Sequence, residues 1–286
     1  MKYTNRNNVP EVVVKAIEND PYDGGKHDTS VTRLIKPQQA NKIMGEHFGD
    51  IVEDISDSLF KLFGQSVHSV LERGTEKTDI SEVRFTAKIL ERSVSGKIDH
   101  FSTSDGVLSD FKITSVFTVK RAKKEGSADW ETQLNLLAYL MGVHGFEIKK
   151  LQIIAFSRDW RNSENNRQED YPNPIEVIEV PLWNTKDAEE RINRLVEKQF
   201  QDEIVPCTDD ERWYTGDTYA VYKDGANGKP LKKAARLLSS MSEAEAWSTL
   251  HGGSKIEMRP GESSRCGSYC SSSPWCEQYA KEKSDG

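Results

Sequence analysis

The sequence has no long apolar stretch, and no run approaches the roughly 20 apolar residues that a membrane-spanning helix needs. Its beginning is polar and carries no export signal, so we expect a cytoplasmic protein without a membrane partner. Basic residues do not predominate either, because 39 Lys and Arg stand against 46 Asp and Glu, for a formal net charge of −7. That balance argues against a protein that passively coats nucleic acid, although a binding groove can still be locally basic.

Cysteine is scarce and confined to the last third of the chain, at Cys207, Cys266, Cys270 and Cys276. Disulfides are not expected in a chain without an export signal. Free cysteines usually scatter through a core, whereas three of these crowd into a short segment rich in serine. The pattern therefore favours metal ligation, and four cysteines alone do not decide between zinc and an iron–sulfur cluster.

The length of 286 residues allows one core with an appendage or two small domains. Residues 1–29 are predicted as an N-terminal extension that contains a strand from Glu11 to Ile17 and a turn at residues 21–25. Residues 30–205 are predicted as the core. Residues 206–286 form a cysteine region with a small α+β insertion at 213–259.

The stretch from Val94 to Lys112 has the pattern of a β-hairpin. Apolar alternation flanks a polar turn with an Asp-Gly pair, which is a strong hairpin signal. A turn centred on that pair sets Asp99 opposite Lys112, whereas a turn centred one residue earlier sets Asp99 opposite Asp110. In either register Asp99, Asp110 and Lys112 share one face of the hairpin.

Two carboxylates and a lysine on one face suit metal-assisted chemistry on a phosphodiester. Mg²⁺ and Mn²⁺ prefer carboxylate oxygens, and the bound metal prepares a water for attack. Lys112 would orient that water or stabilise charge on the phosphate. The alternative is a solvated face with an Asp/Lys pair that contributes less than about 1 kcal/mol. The hairpin alone leaves both interpretations open.

The segments around the hairpin show helical and strand patterns in turn. Apolar residues between Gln38 and Glu72 have helical spacing, which places His68 and Glu72 on one helix face. Further elements are predicted as strands at 82–90, 151–156 and 175–180, as helices at 130–143 and 185–200 with Thr185 as the cap, and as a loop at 158–171. The basic run at 119–124 is predicted either as a solvated loop or as a rim that contacts phosphates.

Three sets of residues resemble motifs of the RecB-like branch of the PD-(D/E)xK nuclease superfamily. Gly96 to Asp99 and Asp110 to Lys112 resemble its Gly-x-x-Asp and (Asp/Glu)-x-Lys motifs. Gly64 to His68 resembles its first motif, in which the histidine is a metal ligand. Gln133 resembles the glutamine of its fourth motif, although the tyrosine that follows is displaced by two positions, to Tyr139.

This resemblance covers residues 30–205 and implies an α/β, restriction-endonuclease-like core with a mixed central sheet flanked by helices. It implies a metal-dependent DNA nuclease, with an exonuclease in recombination, repair or phage DNA processing as the expected activity. Mg²⁺ or Mn²⁺ would be held by His68, Asp99, Asp110 and the carbonyl of Phe111. Lys112 would position the water, and Gln133 would support the site. The candidate DNA contacts are Tyr139, Lys120, Arg121, Lys123 and Lys124. DNA is the implied partner, and a helicase or recombinase is a further candidate.

Some RecB-like nucleases also bind a [4Fe–4S] cluster through one earlier cysteine and three near the C-terminus. The cysteines of this chain resemble that set, although the first follows the core and the triplet reads Cys-x₃-Cys-x₅-Cys. The resemblance implies a structural [4Fe–4S] cluster on Cys207, Cys266, Cys270 and Cys276, with Zn²⁺ as the alternative.

Two other hypotheses remain open from the sequence. The chain would be a non-catalytic nucleic-acid-binding or recombination-partner protein with a structural zinc site, or its substrate would be RNA. The 213–259 insertion is predicted to hold strands and a helix capped by Ser242, with Glu245 completing a capping box. Its basic cluster is interpreted equally well as a solvated hairpin edge or as a DNA-contacting surface, and consists of Lys229, Lys232, Lys233 and Arg236.

Overall fold

The computed structural model describes residues 2–20 and 25–285, which belong to two compact units. The first unit comprises Met1–Lys36 and Phe48–Glu203, and the second comprises Pro37–His47 and Ile204–Gly286. Apart from Gly25, the turn predicted at residues 21–25 lies outside the described residues. No described helix is both long enough and apolar enough to cross a lipid bilayer.

The α-helices of the described chain are α1 (Glu11–Glu18), α2 (Val31–Leu34), α3 (Gln38–His47), α4 (Leu59–Leu71), α5 (Val116–Glu125), α6 (Ala128–Val143), α7 (Asn162–Asn165), α8 (Thr185–Phe200), α9 (Asp209–Arg212), α10 (Met241–His251), α11 (Ser264–Ser268) and α12 (Glu277–Asp285). The strands are β1 (Lys2–Thr4), β2 (Thr29–Ser30), β3 (Val52–Asp54), β4 (Ile80–Ser81), β5 (Arg84–Ile89), β6 (Arg92–Lys97), β7 (His100–Ser102), β8 (Val107–Thr114), β9 (Lys150–Ser157), β10 (Ile175–Val180), β11 (Thr218–Tyr222), β12 (Arg236–Leu238) and β13 (Lys255–Arg259).

A mixed five-stranded sheet in the order β10-β9-β8-β7-β4 forms the centre of the first unit. Strands β8 and β9 are parallel, and the other neighbouring strands are antiparallel. Parallel neighbours need a long crossover, which α5 and α6 provide between β8 and β9. The predicted class, a mixed α/β fold with helices against a mixed sheet, is therefore confirmed.

The predicted hairpin has the second of the two registers. His100 pairs with Ser109, and continuing that register places Asp99 opposite Asp110. The hairpin is shorter than predicted, because β6 ends at Lys97 and pairs with β5 and β2 in a separate three-stranded sheet. The predicted strand at 82–90 therefore lies in a different sheet from β7 and β8, because the chain changes sheet at Ile98 and Asp99.

Helix α6 supplies the centre of the core. Leu134, Leu136, Leu140 and Met141 are fully buried, together with apolar side chains of β8 and β9. Burial of each such side chain contributes about 1.5–3 kcal/mol. Gly96 of β6 lies so close to α6 that a Cβ there would come within 2.4 Å of a Leu137 methyl carbon. The glycine of the Gly-x-x-Asp sequence is thus required by helix packing.

Three local predictions in the first unit are wrong. Residues 11–17 form α1 and not a strand, since Val13 and Ile17 lie on one helix face and Ile17 is buried. The basic run at 119–124 belongs to α5, whose Val116, Val119 and Ala122 are buried at helical spacing, and is not a loop. Asn184 caps α8 in place of Thr185.

The N-terminal strand β1 is held by one carboxylate. Asp54 is buried and accepts hydrogen bonds from the backbone N–H of Arg6 at 2.8 Å, from the Thr4 hydroxyl at 2.9 Å and from the Ser56 N–H at 3.1 Å. The Arg6 N–H is the main cause that holds the pKa of Asp54 well below its usual range. Because the folded-state pKa is depressed, this stabilisation is complete above the unfolded-state pKa of about 3.9 and is lost as the pH falls through the folded-state value.

We expect Asp54→Asn to release β1 at neutral pH, because the amide cannot accept all of these hydrogen bonds. Limited proteolysis of the N-terminus should be faster in Asp54→Asn than in the wild type at pH 7. Asp57→Asn is the matched control, since the Asp57 side chain is 69% exposed. Equal proteolysis rates for Asp54→Asn and Asp57→Asn would contradict this role of Asp54.

The second unit joins α3 to the C-terminal segment. The side chain of Gln38 accepts a hydrogen bond from the N–H of Val205, and that of Gln39 accepts one from the N–H of Cys207. The ring of His47 stacks on Trp275 at a centroid distance of 4.7 Å. Within this unit, β12, β11 and β13 form an antiparallel sheet that α10 contacts. Ser240 caps α10, so the predicted cap at Ser242 is wrong.

Candidate functional site

A cleft of about 970 Å³ in the first unit collects the predicted site residues. Helix α4 supplies His68, β8 supplies Asp110 and Lys112, and α6 supplies Gln133. Asp99 and Phe111 also line this cleft. The structure thus brings together all six residues for which the sequence analysis expects a metal-binding or catalytic role.

The buried Asp110 is fixed at the cleft floor. Its Oδ1 accepts a hydrogen bond of 3.0 Å from the side-chain amide of Gln133. Its Oδ2 lies 2.5 Å from Nζ of Lys112, but no donor among the described residues is aligned on it for a hydrogen bond. Asp110 and Lys112 are two residues apart on β8, so both side chains project from the same face.

Asp99 lies beside Asp110 across the hairpin. Its Oδ2 accepts a hydrogen bond of 2.7 Å from the N–H of Phe111. Burial raises the pKa of Asp99 to about 7, and the negative charge of Asp110 acts in the same direction. His68 and Lys112 act against this rise. A pair of carboxylates that resists double ionisation is an environment in which a divalent cation is stabilised.

His68 is oriented by Glu82. Its Nδ1 lies 2.8 Å from Oε1 of Glu82, and its Nε2 lies 3.8 Å from Oδ2 of Asp99. The hydrogen bond to Glu82 raises the pKa of His68, while burial opposes the rise. Burial would raise the pKa of Glu82, but its hydrogen bonds to His68 and Lys97 outweigh this and lower it. Glu82 therefore remains ionised and directs the other ring nitrogen of His68 towards Asp99.

No sequence pattern identifies Glu82 as a candidate site residue. It precedes β5 and has a φ of +58°, which is unusual for a residue other than glycine. Its N–H donates to the carbonyl of Asp99, which brings the two residues together. A positive φ and a pairing between distant segments leave no pattern in the sequence, so Glu82 reads there as an ordinary residue near the start of a strand.

The donor set fits a hard divalent cation. Single ligand atoms of His68, Glu82 and Asp99 all lie within 4.8 Å of one another. Asp110 adds its Oδ2, which accepts no hydrogen bond from the described residues. Carboxylate oxygens with one imidazole are suitable ligands for Mn²⁺ or Mg²⁺.

We expect Glu82→Gln to weaken Mn²⁺ binding by about 10–100-fold, because an outer carboxylate that orients a metal-binding histidine typically contributes that much. Calorimetric titration of the purified protein with Mn²⁺ measures the effect. Glu72→Gln is the matched control, since Glu72 lines the same cleft outside the His68 cluster. Wild-type affinity in Glu82→Gln would show that Glu82 does not orient His68 for metal binding.

The remaining candidate DNA contacts lie elsewhere in the first unit. Tyr139 packs against the core and does not line the cleft. On α5, Lys120 lies 2.9 Å from Asp170 and Lys123 lies 2.8 Å from Glu176. Lys124 lies 3.9 Å from a neighbouring glutamate, and Arg121 is exposed. Internal carboxylates thus compete with phosphate for most of this run.

The four cysteines surround one small cavity in the second unit, together with Gln39, Arg212 and Gln278. None of them forms a disulfide. Gln278 holds the first cysteine at both backbone groups, since its amide donates to the carbonyl of Cys207 and its oxygen accepts from the N–H of Cys207. The cavity is therefore fixed by hydrogen bonds from side chains of α3 and α12.

The cysteine environment disfavours free thiolates. Burial raises the pKa of Cys207 to about 12, and the neighbouring Glu211 and the other three cysteines add to the rise. Burial likewise raises the pKa of Cys266. Among the described His, Cys, Asp and Glu side chains, no three sulfur atoms lie within 4.8 Å of one another. Four sulfurs bound to one zinc at about 2.3 Å would be only about 3.8 Å apart.

Comparison with known proteins identifies one solved structure of similar fold and one more distant match. No protein-family model matches the chain, and no curated protein matches it. The crystal structure of SSO0001 is similar with a TM-score of 0.50 and 17% identity, over 71% of this chain and 90% of that one. A candidate exonuclease from Eubacterium rectale matches with a TM-score of 0.32 and 14% identity, over 69% of this chain and 78% of that one. At these identities the first likeness concerns the fold alone, and the second is too distant to indicate a shared fold.

Proposed function

We propose that the protein is a metal-dependent DNA nuclease of the PD-(D/E)xK type that acts as an exonuclease. The observation that carries this proposal is the arrangement of Asp99 and Asp110 side by side in the cleft, with Lys112 at 2.5 Å from Asp110. Two carboxylates that share a divalent cation, with a lysine beside them, suit hydrolysis of a phosphodiester.

Each residue has a defined part in the proposed mechanism. His68, Asp99, Asp110 and the carbonyl of Phe111 would hold Mg²⁺ or Mn²⁺. The cation supplies charge stabilisation at the phosphate and a water of lowered pKa. Lys112 positions the water by donating a hydrogen bond to it, and Gln133 keeps the Asp110 carboxylate in place through the bond at 3.0 Å.

Further cations in the cleft suit a polyanionic substrate. Arg84 and Lys97 line the same cleft as Lys112. Lys97 lies 2.5 Å from Glu82, and Arg84 donates to the Ser95 hydroxyl at 3.2 Å. These contacts hold both cations at the cleft wall. A phosphodiester that enters the cleft therefore meets positive groups in the same cleft as the carboxylates of Asp99 and Asp110.

We infer further that the cysteines hold a [4Fe–4S] cluster with a structural role. The support is the convergence of the four cysteines on one cavity of the second unit, together with their resemblance to the cluster-binding cysteines of RecB-like nucleases. A metal group bound by the four cysteines that line this cavity would remove the repulsion between buried thiolates. The cluster would connect Cys207 to the segment of Cys266, Cys270 and Cys276.

Cleavage of end-labelled DNA tests the nuclease proposal. Linear single-stranded, linear double-stranded and closed circular DNA are incubated with the protein in Mn²⁺ and in EDTA, with Lys112→Ala in parallel. We expect the linear DNA to be degraded in Mn²⁺ only, the circle to be spared, and the variant to be inactive. Cleavage of the circle would make the protein an endonuclease. Binding without cleavage would favour the alternative of a non-catalytic nucleic-acid-binding protein.

A further inference from the structure

A basic ribbon projects from the sheet of the second unit. It consists of β11, β12 and the connecting residues 223–235. This connection carries Lys223, Lys229, Lys232 and Lys233, and Arg236 follows it as the first residue of β12. Residues 223–236 contain five basic residues and one acidic residue, a formal charge of +4, in a chain whose net charge is −7. The ribbon thus opposes the overall charge of the protein.

The cations of the ribbon are available to a ligand. Lys229, Lys232, Lys233 and Arg236 are exposed, and none has a carboxylate partner among the described residues. The ion pairs of this sheet lie on β13, where Lys255 and Arg259 both contact Glu257. On α5, by contrast, Lys120 and Lys123 are paired with carboxylates. Unpaired cations bind phosphate without first losing an internal partner.

The ribbon is ordered up to its tip. The N–H of Leu231 donates to the carbonyl of Lys223 at 2.9 Å, and the N–H of Gly225 donates to the carbonyl of Lys229 at 2.8 Å. Asp224 and Pro230 form an isolated bridge, and Gly228 closes the turn with a φ of +69°. Lys223 at the base lies 5.4 Å from the ring of Trp247 on α10. A ligand therefore meets a preorganised backbone that carries these charges, which reduces the entropy lost on binding.

The base of the insertion is closed by its own hydrogen bonds. Tyr214 and Ser263 form a bridge, and Thr215 and Glu262 exchange hydrogen bonds of 3.1 and 2.9 Å. The ribbon lies between these two closing segments. Substitutions of exposed lysines at its tip are therefore expected to leave the fold of the second unit intact.

We propose that this basic ribbon binds the phosphate backbone of DNA and anchors the substrate outside the cleft. The proposal rests on the nuclease function proposed above, which makes DNA the polyanion that the protein must hold. Lys229, Lys232 and Lys233 neutralise phosphates, and the released counterions make binding strongly dependent on salt. Contacts of this kind carry no base information, so the ribbon binds DNA of any sequence.

Binding of DNA at several salt concentrations tests the proposal. Fluorescence anisotropy of a labelled duplex is measured in Ca²⁺ with Asp110→Asn as the common background. The ribbon variant carries Lys229→Gln, Lys232→Gln and Lys233→Gln. The control variant carries Lys77→Gln, Arg191→Gln and Lys281→Gln, which removes the same charge at exposed positions outside the ribbon. Circular dichroism and thermal melting verify that both variants are folded.

We expect the ribbon variant to bind at least about tenfold more weakly at low salt, and the slope of log Kd against log salt to fall by about 2 to 3. The control variant should change Kd less than about threefold. Equal effects of the two variants, or no binding of DNA by the unsubstituted background protein, would overturn the proposal. The proposal would also be overturned if the protein bound phosphatidylserine-containing vesicles through the ribbon as tightly as it binds DNA.

Hydrolysis of a small phosphodiester separates this proposal from the nuclease proposal. In the wild-type background, the small substrate bis(p-nitrophenyl) phosphate carries one phosphodiester and no polynucleotide backbone for the ribbon to bind. The ribbon variant should therefore hydrolyse it at the wild-type rate while it loses activity on DNA. A wild-type protein that binds DNA through the ribbon but hydrolyses neither substrate would retain the ribbon proposal and remove the nuclease function.

Discussion

Asp110→Asn should lower the rate of Mn²⁺-dependent DNA cleavage at least about a thousandfold. The buried carboxylate contacts both Lys112 and Gln133. An amide keeps the volume of the side chain but removes its charge and one of its metal-binding oxygens. The variant therefore loses both the cation and the position of Lys112, while its fold remains. Quantification of product in a single-turnover assay at saturating protein measures the loss.

Asp105→Asn is the matched control for this prediction. Asp105 lies in the turn of the same hairpin and is exposed, and its carboxylate accepts a hydrogen bond from the Ser102 hydroxyl. We expect the rate in Asp105→Asn to stay within about twofold of the wild type, since surface substitutions away from a site have small effects. Cleavage by Asp110→Asn at a rate similar to that of Asp105→Asn would show that hydrolysis does not use the metal site proposed here.

Cys276→Ser should abolish binding of the proposed cluster and unfold the second unit. Cys276 is buried, and it lines the cavity with the other three cysteines. In small metal-binding domains, the metal supplies on the order of 10 kcal/mol of folding free energy, so the loss of one ligand removes much of the stability. Elemental analysis should give about four iron atoms per chain in the wild type and about none in the variant.

Limited proteolysis shows where the effect of Cys276→Ser falls. We expect cleavage within residues 204–286 of Cys276→Ser but not of Ser268→Ala, since Ser268 is exposed between two of the cysteines. The first unit has its own buried core, so it should resist the protease. Wild-type stability in Cys276→Ser would contradict the structural role. About one zinc and no iron per chain would contradict the cluster and support the zinc alternative.

The hairpin and its polar face were accessible from the sequence because strand geometry has a period of two. The alternation of side chains between the two faces of a strand placed Asp99, Asp110 and Lys112 together in either register. The structure brings all three to one cleft. This alternation does not show where a strand ends. The change of sheet after Lys97 is accompanied by the close approach of Gly96 to α6, which is a contact between distant segments.

Helices were predictable where the apolar spacing was long and regular. The helix at 130–143 is confirmed as α6, and the helix at 185–200 as α8. The three consecutive valines of α1 have a high propensity for strands. This segment is nevertheless a helix, in which Ile17 is buried. Short polar helices such as α3 instead bury polar side chains that bind distant segments of the chain. Its buried side chains include Gln38 and Gln39, whose hydrogen-bond partners lie 167 and 168 residues later in the chain.

The part of the site that the sequence did not reveal is Glu82. Its role depends on a positive φ and on the fold of the chain back onto Asp99, and neither is encoded by local spacing. The basic run of α5 shows the opposite case. It is conspicuous in the sequence, but the structure pairs Lys120 and Lys123 with carboxylates from the segment 162–180. Charge runs therefore become informative only when their partners are known.

The position of Mn²⁺ in crystals of the protein tests the central claim most directly. Anomalous scattering locates the ion without any assumption about activity. We predict one strong peak among Nε2 of His68 and the carboxylates of Asp99 and Asp110, at about 2.0–2.3 Å from the ligand atoms. A cleft without an anomalous peak in crystals soaked in Mn²⁺, or a peak that remains in Asp110→Asn, would contradict the proposed metal site.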